Sequence, residues 1–451
     1  MKALKSALLL ALACLPDTAS AQDKTVSLTV YNQNLALVRD MRGLDFQKGI
    51  NHLNFQDVAS QIDPTSVHFK AVNTPDRVTI LEQNYQYDLV SSDKLLQKYI
   101  DQNIQLQTNQ GEVYNGQLLS FDFGGLTLRN KNGSIQIVSR SEIRDISFPS
   151  LPEGLITRPT LVWTVNSDYS GKQSAEVSYL TTGINWHAEY VAVADPKDEN
   201  LELAGWVSIE NNSGATYPEA KLKLIAGDIH RAEEQGRVMR EAMVKAAALE
   251  SAFEEKAFFE YHLYTLNRPA TVKDKEIKQV SLFPSTKVKT QKKFIYDGAY
   301  YGNRVRVILE FDNSQKAGLG IPLPKGKIRV YKEDSDKSKE FIGEDLINHT
   351  PKDEKVKIYV GNAFDVVGTR TQTDYEQVSK RVDRYSFEIS LRNHKTEKAQ
   401  VVVVEHLAYA DWEITQSNFP YEKKDAFTVE FLLDLQPDQE KKLNYTVMYK
   451  R

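Results

Sequence analysis

Val207-Ser208-Ile209-Glu210-Asn211-Asn212, Ile308-Leu309-Glu310-Phe311-Asp312-Asn313 and Phe387-Glu388-Ile389-Ser390-Leu391-Arg392-Asn393 are three versions of one phrase, in which alternating residues run into an asparagine. Alternation at period two puts successive side chains on opposite faces of a strand, and asparagine stabilises a turn by bonding its own backbone. Each phrase therefore reads as a strand entering a polar turn. The third continues through residues 401–404, Leu407 and Trp412, the hairpin layout of an immunoglobulin-like sandwich.

The same period extends outward from these phrases. Val26, Leu28 and Val30 fall on one face near the N-terminus, and Leu35 and Leu37 open a second strand. Between residues 102 and 148 five short strands are separated by turns at Asn109-Gln110-Gly111, Gly124-Gly125 and Asn130-Lys131-Asn132-Gly133, which predicts a small SH3-like or Sm-like barrel. A short helix or turn over 93–100 precedes it. Only residues 232–257 break the β pattern. There Met239, Ala242, Ala246, Leu249, Phe253 and Ala257 recur at three- and four-residue steps, which predicts an inserted amphipathic helix.

The expected architecture is mainly β, with tandem immunoglobulin-like sandwiches, one small barrel and one long helix. The expected divisions are a signal peptide over 1–21, an N-terminal β domain over 22–100, the barrel over 101–150, a sandwich over 151–303 carrying helix 232–257, and a C-terminal sandwich over 304–451.

The first 21 residues combine cationic Lys2 and Lys5, a short apolar run, and Ala19-Ser20-Ala21, the three parts of a cleaved export signal. The chain's single cysteine, Cys14, lies inside it. Cleavage after Ala21 would remove every thiol; processing at Cys14 would instead leave a lipid anchor, the less favoured alternative. Without cysteine a mature chain has no disulfide, no thiolate nucleophile and no thiolate metal ligand. The expected location is the periplasm or cell envelope. The net charge of −4, with Lys and Arg interspersed among Asp and Glu, offers no basic face for nucleic acid.

No Gly-x-Ser-x-Gly or His-Glu-x-x-His occurs. His187-Ala188-Glu189 places two ligand-type side chains on one strand face, an arrangement that also suits a rim ion pair. Asp334-Ser335-Asp336 sits among Lys332, Lys337 and Lys339 and reads as a hairpin tip rather than a calcium loop. Gly318 to Lys327 resembles a phosphate loop, but Pro322 and Pro324 remove backbone donors. Residues 343–351 and 361–370 are rich in turn formers and read as loops, where Asp345, His349, Asp365 and Arg370 either form a site or bond their own backbone. Trp163, Trp186, Trp206 and Trp412 are expected mostly in cores. No catalytic, cofactor or metal residue is assigned.

Several phrases resemble a bacterial exported family catalogued as domain of unknown function 4139, related to proteins named mucoidy inhibitors. They are Trp186-His187-Ala188-Glu189-Tyr190, Glu260-Tyr261-His262-Leu263-Tyr264-Thr265-Leu266, Gly320-Ile321-Pro322-Leu323-Pro324, Arg329-Val330-Tyr331, His349-Thr350-Pro351, Gly361-Asn362-Ala363-Phe364-Asp365 and Glu405-His406-Leu407. The resemblance implies β-sandwich architecture and a Gram-negative envelope location, and it supplies no reaction. Two functions follow as expectations. One is a non-enzymatic binding or assembly module for an envelope protein or glycan. The other is a hydrolase of envelope polymers with its site near His349 and Asp365.

Overall fold

A computed structural model describes residues 24–227, 253–258 and 261–450. The signal peptide, Cys14 and residues 232–252 of the expected helix lie outside the described residues. The protein is mainly β, in five sheets of eight, five, three, five and nine strands, with two short α-helices and four 3-10 turns among the described residues. No described helix is long and apolar enough to cross a membrane.

The end of the expected helix is corrected. Phe253–Phe258 is a strand paired antiparallel with Tyr261–Leu266, so pairing with a neighbouring strand overrides the local helix pattern. The short helix expected near residue 93 spans Ser92–Lys98, with the Ser91 hydroxyl accepting from the Lys94 N–H at its start.

Sheet membership crosses the divisions expected at residues 150 and 303. Thr25–Tyr31 pairs in parallel with Tyr217–Ala226 and antiparallel with Leu35–Phe46. One core draws Leu28, Phe55, Trp163 and Trp186 together with Leu309, Phe311, Val356 and Ile358. Those last four belong to strands Arg304–Asp312 and Lys355–Ser379, whose Val305 and Val366 enter a second core with Tyr296, Phe431 and Tyr445. Two continuous strands thus splice the cores. The five strands between Asn103 and Ser147 cover a third core with Leu96 and Tyr99.

The three repeated asparagines have one physical role. Asn211, Asn313 and Asn393 are almost wholly buried. Each donates from its amide to loop carbonyls: Asn211 to Ala215, Val272 and Lys273, Asn313 to Ile321 and Pro351, and Asn393 to Glu397 and Gln436. In the first and third the side-chain oxygen also accepts from the backbone two residues on, Ser213 and Lys395. A buried amide here replaces water as the partner of loop backbone. Asn211→Ala is expected to cost about 2–4 kcal/mol, because several buried groups lose partners at roughly 1–3 kcal/mol each. A loss under about 0.5 kcal/mol in denaturant unfolding would contradict this role.

Asp198, in the turn between strands Ile184–Ala194 and Asn200–Asn211, takes Lys292 from the nine-stranded sheet and Lys332 from a five-stranded one. Burial opposes ionisation of Asp198, but the hydrogen bonds and charges of the two lysines outweigh it and hold its pKa below the usual 3.8. The folded pKa lies below the unfolded one, so this stabilisation is full above the unfolded value and disappears as pH falls through the folded value. Asp198→Asn is expected to melt lower than the parent at pH 7, with the gap closing below about pH 4. A gap that persists unchanged at low pH would show that the ion pairs do not hold the two sheets together.

Candidate functional site

Four of the quoted phrases meet around one small cavity. Trp186 and Tyr190 point inward from Ile184–Ala194, while His187 and Glu189 alternate to the outer face. Tyr261–Leu266 lies beside Tyr217–Ala226, with His262 opposite Ala226 and Tyr264 opposite Leu224. The glycine-proline stretch runs across their ends. Gly318 and Gly320 take positive φ of 101° and 73°, which lets the chain fold back there. Leu323 and Thr350 exchange two backbone hydrogen bonds of 2.9 Å, fixing His349-Thr350-Pro351 against the prolines.

Tyrosine hydroxyls secure the prolines, which lack backbone donors. Tyr264 donates to the Pro322 carbonyl at 3.1 Å and Tyr190 to the Pro324 carbonyl at 2.7 Å. The Trp186 indole donates to the Ile225 carbonyl at 3.1 Å and meets Tyr264 edge-on at 6.2 Å. Burial drives the Tyr190 phenol well above its ordinary pKa, so it stays a donor. His349 Nδ1 accepts from the Lys325 N–H at 3.1 Å, and its Nε2 lies 3.5 Å from Asn32 Nδ2.

The cavity encloses about 180 Å³ and is walled by His262, Tyr264, His349, Thr350, Pro322 and Pro324, with Gly227 at its edge. No carboxylate lines it among the described residues. His262 and His349 converge here, and His187 does not. His187 is half exposed on the outer face, 3.8 Å from Glu189. Burial opposes ionisation of Glu189, yet Ser208, His187, Arg329 and Gln279 hold its carboxyl below the ordinary value, which makes this a surface polar network.

The segments expected as loops are mostly strand, a second correction. Residues 343–347 lie in Lys339–Ile347 and 361–370 in Lys355–Ser379. Gly343 and Gly361 sit where the register shifts, so the turn-like composition marks β-bulges. Asp345 accepts from the neighbouring Leu346 N–H, as its own-backbone reading expects, and also from the Tyr359 N–H of another strand. Asp365 lines a separate cavity with Phe364, Phe294 and Lys395. Asp334 to Ser338 forms the tip of a hairpin, with Lys337 at φ 69°.

Arg370 belongs to a second polar cluster. Its guanidinium grips both oxygens of fully buried Glu405 at 3.0 Å, lies 4.0 Å over the Phe387 ring, and shares Glu405 with the Tyr445 hydroxyl. Burial would lower the Arg370 pKa, but Glu405 and Tyr445 raise it above its ordinary value. Burial and the Glu405 charge together hold the Tyr445 phenol far above its own. Next to it, His406 Nε2 is 2.9 Å from Asp297, and the His406 ring meets Tyr300 edge-on. Arg370, Glu405 and Tyr445 thus form one buried polar network, beside which the buried Tyr296 hydroxyl has no partner among the described residues.

The family model described as "Domain of unknown function (DUF4139)" matches residues 175–450. The chain belongs to the DUF4139 family. Every phrase quoted for the resemblance lies within the matched residues, and the His262–His349 cavity is assembled almost wholly from them. A comparison with curated proteins finds no match. Sequence reading singled out both histidines and the DUF4139 phrases. The roles of Tyr190, Tyr264 and the proline carbonyls, and the Arg370–Glu405 pair, join residues far apart in the chain and left no local signal.

Proposed function

We propose that this DUF4139 protein is an exported cell-envelope protein that holds a protein or glycan partner rather than catalysing a reaction, with the His262–His349 cavity as the attachment point. The carrying observation is the cavity's chemistry: two imidazoles among prolines and bonded tyrosines, with no carboxylate in its described walls. Hydrolysis needs an activated nucleophile beside its proton donor and acceptor, and the two hydroxyls in the described walls, Thr350 and Tyr264, donate instead to the Asn348 and Pro322 carbonyls. A volume of about 180 Å³ falls below the roughly 300–1,000 Å³ of ordinary small-molecule sites, so one protruding side chain or sugar ring fits. His349 and Asp365 line separate cavities, which supports the binding reading over a hydrolase of envelope polymers built on that pair. Export rests on the signal pattern of residues 1–21. The same proposal takes the nine-stranded sheet as an immunoglobulin-like sandwich and the strands over 103–147 as an SH3-like barrel.

The test is fractionation of cells expressing tagged chain, followed by co-purification with the parent and with the His262→Ala/His349→Ala double variant. The parent is expected in the envelope fraction with one retained partner, and the double variant to retain at least tenfold less. A parent confined to the cytoplasm sinks the location. Equal retention by a folded double variant sinks the attachment point.

A further inference from the structure

The five strands over 103–147 carry a second, chemically different cavity of about 760 Å³. Its floor is the outer face of four adjacent strands. Asn103 lies opposite Gln117 and Gln105 opposite Asn115. Gln117 in turn lies opposite Arg129, and Ser147 opposite Gln105. Strand alternation puts these six side chains on one face, while Ile104, Leu106, Leu118 and Leu128 fill the core on the other. The result is a ladder of carboxamides two residues apart along each strand and one strand apart across it.

One of its members is already engaged: Gln117 donates to the Asp101 carbonyl at 2.9 Å and accepts from Arg129 at 3.3 Å. Asn103, Gln105 and Asn115 are exposed and have no side-chain hydrogen-bond partner among the described residues. Phe148 and Pro149 supply an apolar wall. The charged lining is limited to Asp101, Arg129 and Lys131, too few to select a polyanion.

We propose that this groove binds a neutral oligosaccharide. A carboxamide offers an acceptor oxygen and two N–H donors from adjacent positions, the pattern that matches neighbouring ring hydroxyls, each both donor and acceptor. An apolar wall beside it suits the C–H face of a sugar ring. The volume lies within the roughly 300–1,000 Å³ of ligand sites. This site is separate from the His262–His349 cavity, and the proposal stands whether or not that cavity holds a partner.

The full chain would be titrated calorimetrically with cellohexaose, chitohexaose and maltohexaose. Variants are the triple Asn103→Ala/Gln105→Ala/Asn115→Ala and, for the other cavity, His349→Ala. At least one hexasaccharide is expected to bind the parent, at least tenfold more weakly to the triple variant, and unchanged to His349→Ala. The three replaced residues are exposed, so the triple variant keeps the parent melting temperature; if it does not, the single Gln105→Ala variant is used, with at least a threefold loss expected. Binding of none of the three sugars by the parent, undiminished binding by the folded variant, or loss on His349→Ala alone would overturn the proposal.

Discussion

Glu405→Ala is expected to destabilise the protein by about 3–5 kcal/mol, the usual cost of removing one member of a buried ion pair. Glu405 has no exposed surface and is the shared acceptor of Arg370 and Tyr445. Without it the guanidinium, held against Phe387, keeps its charge in a site with no counter-ion, and the Tyr445 hydroxyl loses its acceptor. The attraction itself is not the source of most of this loss. Replacing both charges, as Arg370→Met/Glu405→Leu, should therefore cost much less than the single change, since a packed apolar pair often equals a buried ionic one. Because the chain has several cores, the comparison belongs in hydrogen exchange of the amides around Phe387 and Tyr445, which reports that core alone. A single variant that exchanges like the parent would refute the assignment.

Trp163→Ala should cost about 3–5 kcal/mol in the first core, the range for deleting a large buried aromatic. Trp163 is wholly buried in strand Thr160–Ser167, with Phe55 and Phe69 ring centroids at 5.5 Å and 5.3 Å, and its indole donates to Gln83 at 2.9 Å. Trp163→Phe should lose less, because Gln83 is exposed and water can take the place of the indole. Thermal unfolding followed by near-ultraviolet circular dichroism distinguishes the two. Equal midpoints for parent and Trp163→Ala would mean that these rings do not organise the core.

Much of the fold was legible because strand periodicity is a local property. The alternation at Val26, Leu28 and Val30, the five short strands before residue 148 and the three asparagine-ended phrases all signal strand from neighbouring residues alone. What the asparagines do was not legible: their partners Val272, Pro351 and Gln436 lie on distant segments of the chain. Gly343 and Gly361 were misread as turns because a bulge and a turn call for the same residue. At Phe253–Phe258 the pairing partner decided the state. The candidate site shows the same division. His262 and His349 stood out as residue types, whereas their meeting depends on the Leu323–Thr350 pairing and two tyrosine–carbonyl bonds that only the folded chain creates.

In the function proposed above, the His262–His349 cavity is where this DUF4139 protein meets its partner. A photo-crosslinking residue placed at Thr350 in the cavity wall, and at Ile277 on an exposed strand position as control, tests it in native cells. A discrete adduct is expected from position 350 that is absent from position 277 and is lost when His262→Ala is added. No adduct at 350, or the same adducts from both positions, would contradict it.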